Sequence, residues 1–97
     1  MDDSNKSIDE IAAVFAECKD KELIEDFLYS LLTPNEINEV ASRWALVKLI
    51  TEGMSQRKIS EKLGLSLCKI TRGSKELKKE NSSFKAMIDL HGEITKA

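Results

Sequence analysis

The sequence is poor in the residues that punctuate or cross-link a chain. Its 97 residues include one Pro, four Gly, two Cys and one His. So few Gly and Pro leave little room for a sandwich or barrel with many tight turns. The cysteines, Cys18 and Cys68, form neither a metal-binding spacing nor a disulfide framework. Their simplest reading is reduced thiols in a cytoplasm. A single histidine excludes histidine-based metal clusters. The longest uninterrupted apolar run is six residues, Ile11 to Ala16. That is too short for a transmembrane helix, and its acidic flanks do not suit a signal peptide. There is no phosphate-binding loop and no candidate set of acid, base and nucleophile. Neither enzymatic nor metal chemistry is expected.

What remains is 41% hydrophobic and 33% charged. This composition suits one small, soluble, mostly helical domain. A lone chain of this size folds with limited surplus, so oligomerisation would help it. The net charge of −2 hides a split. Residues 1–40 carry 3 basic and 11 acidic side chains, a net of −8; residues 41–97 carry 12 and 6, a net of +6. Between Met54 and Lys79 there are 8 basic residues, opposed only by Glu61 and Glu76. Phosphate contact needs such local clustering rather than a high average. A solvated helix face is the plainer account of any charge run.

Apolar spacing predicts six helices in one all-α domain spanning 1–97. Residues 1–6 read as a flexible tail. Dimerisation-core helices are expected over 7–53, a helix-turn-helix over 54–79 and a C-terminal helix over 82–94. Ile8, Ile11, Ala12, Phe15 and Cys18 mark the first stripe, and Leu23 to Leu32 the second. Thr33-Pro34-Asn35-Glu36 is a capping-box start with proline first inside the helix. The helix it opens is apolar on more than one face in its second half, as befits a central position. Gly53 suits its end, and Ser55 can cap the next helix. The first two stripes offer more apolar surface than a small reading domain can cover, which predicts a homodimer with these helices crossing between subunits.

Residues 56–75 meet the requirements of a helix-turn-helix. Ile59 and Leu63 pin the first helix, and Ser60 is small where the helices approach. Gly64 tolerates positive φ at the turn. Leu65 and Ile70 are apolar anchors after the turn, and Ser66 can cap the second helix. That helix would present Leu67, Cys68, Lys69, Thr71, Arg72 and Lys75 away from the core, a face suited to a major groove. Lys69 is expected at a base edge or its adjacent phosphate, with Arg57 and Lys78 positioning the backbone. An ordinary helical hairpin with a glycine turn shares much of this pattern.

The strings Leu32-Thr33-Pro34-Asn35-Glu36, Met54-Ser55-Gln56-Arg57 and Ile70-Thr71-Arg72-Gly73-Ser74, with Arg43 between the first two, resemble the bacterial tryptophan repressor family. The likeness covers about residues 27 to 79. It implies an intertwined homodimer that binds a palindromic double-stranded operator with L-tryptophan as corepressor. On matching positions, Arg43 would hold the ligand carboxylate, and Arg72 would lie over the indole and also reach the carboxylate or a phosphate. Gly73 would leave room beside the ring, and Thr33 would sit near the head group. Carbonyls around Ser30 and Leu32 would receive the ammonium. Arginine suits these tasks because its planar fork matches a carboxylate and its face stacks on aromatics. Without the resemblance, Arg43 reads as a surface partner for Glu36 or Glu39.

The chain departs from the family pattern in three places. Glu76 stands where the family has a serine; it would either bind the ammonium or pair with Arg72. Lys69 replaces a small polar residue, which bears on operator preference. The stretch before Met54 is one residue shorter. Two other functions compete: a relative that binds DNA in response to a different small molecule or none, and a helical dimerisation or adaptor module whose basic face meets an acidic protein.

Overall fold

The computed structural model describes residues 3–96. Among these residues it is all-helical, in the order α1 (Asp3–Glu17), α2 (Lys21–Leu31), α3 (Pro34–Thr51), α4 (Gln56–Leu63), α5 (Leu67–Lys78) and α6 (Ser83–Lys96). The tail expected over residues 1–6 is helical from Asp3 onward; Met1 and Asp2 lie outside the described residues. None of the described helices is long and apolar enough to cross a membrane.

Local side-chain chemistry accounts for most helix starts. Asp20 accepts from the Leu23 N–H at 3.2 Å and starts α2. At α3 the capping box forms in both directions: the Thr33 N–H donates to Glu36 Oε1 at 2.8 Å, and the Glu36 N–H donates to Thr33 Oγ1 at 3.2 Å. At the far end of α3, Gly53 adopts φ +92°. The Gly53 N–H reaches the Ile50 carbonyl and the Met54 N–H reaches Leu49. This is a Schellman ending, which satisfies carbonyls the helix leaves open. Ser82 caps α6 through the Lys85 N–H, after Asn81 turns the chain at φ 57°.

The chain divides into two compact units, residues 1–37 and 38–97. In the first, Phe15 of α1 meets Phe27 of α2 edge-on with centroids 5.9 Å apart. Neither helix buries a residue fully. The second unit holds a core of Leu46, Val47, Ile59, Ile70 and Ile88. The boundary falls inside α3, whose Leu46 and Val47 pack with Ile59 of α4 and Ile70 of α5. Trp44 lies against this core, stacked on Phe84 at 6.0 Å and meeting His91 edge-on at 5.9 Å.

Candidate nucleic-acid interface

Helices α4 and α5 form the helix-turn-helix. Ser55 caps α4 by accepting from the Lys58 N–H. Gly64 ends it with φ +67°, a left-handed conformation that suits glycine. The Gly64 N–H donates to the Ser60 carbonyl, and Ser60 Oγ donates across the turn to the Leu65 carbonyl at 2.8 Å. The small residue expected where the helices approach is thus also a clamp on the turn. Ser66 then caps α5 through the Lys69 N–H. Ile59 and Ile70, one from each helix, are fully buried and set the packing between them.

With Ile70, Gly73 and Ser74 turned inward, the other faces of α5 meet solvent. Leu67, Cys68, Lys69, Thr71, Arg72, Lys75 and Lys78 are all exposed. Among the described residues, none of the cations in this set is in an ion pair. Arg57 on α4 is also exposed, 3.9 Å from Glu61, a contact that contributes little in water. The result is an unneutralised cationic helix face on a rigid two-helix support.

The residues assigned to a ligand lie in different places. Ser30 is on α2, Leu32 follows its end and Thr33 caps α3, all within residues 1–37. Arg43, Arg72, Gly73 and Glu76 belong to the second unit. Arg43 is exposed on α3 and makes no ion pair with Glu36 or Glu39. Arg72 precedes Gly73, and at Gly73 helix α5 comes against Leu46 of α3. A Cβ built on Gly73 would stand 3.1 Å from Leu46 Cδ2 and 3.5 Å from Val47 Cγ2. In the Cβ direction this glycine lies against core side chains of α3. Glu76 bonds Lys79 at 3.0 Å; it does not pair with Arg72. Sequence reasoning missed the packing of His91 on Trp44, because it depends on where α6 lies.

A family model described as Trp repressor protein matches residues 6–91. The chain belongs to the Trp repressor family. Among its relatives, each named Trp operon repressor homolog, the one from Actinobacillus succinogenes is 37% identical over 89 residues, covering 91% of this chain and 84% of its own length. The one from Vibrio vulnificus is 41% identical over 70 residues, 71% of this chain and 69% of the relative. The one from Chlamydia trachomatis serovar L2 is 36% identical over 69 residues, 70% and 73% respectively. No match was found among solved structures. The Trp repressor family is one of transcriptional regulators rather than enzymes.

Proposed function

We propose that this chain represses transcription by binding a palindromic operator as a homodimer, with L-tryptophan as corepressor. The observation that carries this reading is the capped helix-turn-helix whose second helix exposes unpaired Lys69, Arg72, Lys75 and Lys78. Helix-turn-helix proteins, the Trp repressor among them, place the second helix in the major groove and bind two half-sites about one helical turn apart. Cations around that helix meet phosphates, and the residues between them meet base edges. The setting is the cytoplasm, which agrees with the free thiols of Cys18 and Cys68.

The ligand residues have chemistry that fits an amino-acid zwitterion. Arg43 and Arg72 are free to bind a carboxylate, and Arg72 also offers a planar face to an indole. The Thr33 hydroxyl accepts a bond from the Glu36 N–H yet keeps its own hydrogen to donate. Carbonyls near Ser30 and Leu32 and the carboxylate of Glu76 supply acceptors for the ammonium. Bound tryptophan favours the orientation of the two reading heads that fits successive grooves, which is a population shift. It acts only in so far as it prefers that orientation. By linkage, operator DNA tightens tryptophan binding by the same factor. Calorimetric titration with L-tryptophan, with and without a duplex selected by the protein, tests this. Operator affinity unchanged by millimolar tryptophan would overturn the corepressor role and leave a DNA-binding relative with another signal or none. Binding that lacks steep salt dependence and duplex preference would favour the adaptor alternative.

Assembly follows from the uncovered apolar surface. Ile8, Val14, Leu23 and Tyr29 on α1 and α2 are each more than half exposed, as are Met87 and Ile94 on α6. A second copy is the economical cover for such faces in a chain this small. Sedimentation equilibrium at micromolar concentration is expected to give dimer only; a well-folded monomer there contradicts the proposal.

A further inference from the structure

The solvent face of α5 is not uniformly polar. Leu67, the first residue of the helix, is 57% exposed and lies outside the core of Leu46, Val47, Ile59, Ile70 and Ile88. Thr71, one turn later, is also exposed. Residues four apart share a helix face, so the leucine side chain and the threonine methyl form a short apolar strip. Exposed cations stand near it on the same helix at Arg72, Lys75 and Lys78, with Lys69 further round. The flanking charge calls for a polyanion, and the strip calls for an apolar group carried by that polyanion at the depth α5 reaches. In the major groove of duplex DNA, the C5 methyl of thymine is that group.

We infer that Leu67, with the Thr71 methyl beside it, packs on a thymine methyl in each half-site and makes this protein select thymine there. The inference rests on the proposed reading of α5 as the DNA-contacting helix. It assigns Leu67 a specificity role distinct from the phosphate contacts of the neighbouring cations. An apolar contact of this kind discriminates by shape and desolvation, without a hydrogen bond, and depends little on salt.

The test uses the full chain. Duplexes are enriched by the protein from a random-sequence pool, with and without L-tryptophan. Each thymine of the enriched site is then replaced in turn by deoxyuridine, which removes only the C5 methyl. At one thymine per half-site the wild-type protein should bind the uracil duplex about fourfold more weakly, the effect of one apolar carbon left in water. Leu67→Ala should bind the thymine and uracil duplexes alike at that position. Its circular dichroism should match wild type, since the side chain is not part of the core. If no thymine in the enriched site is sensitive to loss of its methyl, the inference is overturned while DNA reading stands. The same holds if Leu67→Ala keeps the full sensitivity. If no duplex is enriched over the starting pool, the DNA reading itself fails and the inference fails with it.

Discussion

Arg72→Ala is expected to weaken operator binding and tryptophan binding together, whereas Arg43→Ala abolishes the tryptophan response and leaves weak, salt-sensitive DNA binding. The two arginines share a charge and differ in placement. Arg72 lies in the middle of the exposed cationic face of α5, directly before the buried Gly73. It is therefore within the helix proposed to read DNA and next to the point where that helix meets α3. Arg43 lies on α3, three positions before the buried Leu46, and is not part of the reading helix. A hydrogen bond to a charged group contributes about 1.5–3 kcal/mol. Its loss should weaken each affected equilibrium roughly tenfold to a hundredfold. Arg72→Lys separates the two roles of that side chain. A lysine keeps the charge a phosphate needs but loses the planar fork and the stacking face. Salt-dependent DNA affinity should largely return, and tryptophan affinity should not. Calorimetry for tryptophan and fluorescence anisotropy for a labelled duplex measure both quantities. Equal damage to tryptophan-free DNA binding by Arg43→Ala and Arg72→Ala would contradict this division of labour.

The parts of the fold legible in the sequence are those decided within a few residues. Thr33 and Glu36 form their box because both partners lie on one helical turn. Ser55 and Ser66 cap the two helices of the reading head in the same local manner. Gly64 and Gly53 take positive φ where a turn requires it. Asp20 is equally local but hidden, since it stands in Lys19-Asp20-Lys21-Glu22, a cluster that reads as a generic charged break. The helical start at Asp3 is also unmarked, because polar residues before a first apolar stripe look alike in a tail and in an exposed helix. Contacts between distant elements need the structure. His91 has no partner nearby in sequence, yet α6 brings it against Trp44. The Glu76–Lys79 pair shows why spacing alone is ambiguous: a glutamate on α5 has cations both one turn before it, at Arg72, and one turn after. The cationic face can be read from helical spacing. The residues that the resemblance assigns to a ligand cannot, because Ser30, Leu32 and Thr33 come from a different compact unit than Arg43, Arg72, Gly73 and Glu76.

Gly73→Val is expected to destabilise the ligand-free protein by about 1–3 kcal/mol, the usual cost of overpacking a filled core. The sequence resemblance gives Gly73 a role in making room for an indole ring, but the structure adds a second demand. An added Cβ would lie 3.1 Å from Leu46 Cδ2 and 3.3 Å from Leu46 Cγ. Leu46 is 2% exposed and Val47 is fully buried, so neither has free space to rotate into. Gly73→Ala sets this crowding against a gain of about 1 kcal/mol from replacing glycine inside a helix. The two nearly cancel, so its melting temperature should stay close to wild type. Valine adds two further carbons against the same wall and, being β-branched, recovers less helix propensity over glycine than alanine does. For a domain of this size, each kcal/mol moves the melting temperature by about 4–8 °C, so a drop of roughly 10 °C is expected at fixed protein concentration. Leu46→Ala in the valine background should recover part of the loss. The double variant should then be more stable than the two single changes predict by addition, because the substituted side chains share one space. Thermal melts with and without tryptophan distinguish the two roles of the glycine. If Gly73 served only to admit a ring, the valine variant would melt like wild type without ligand and differ only when tryptophan is added.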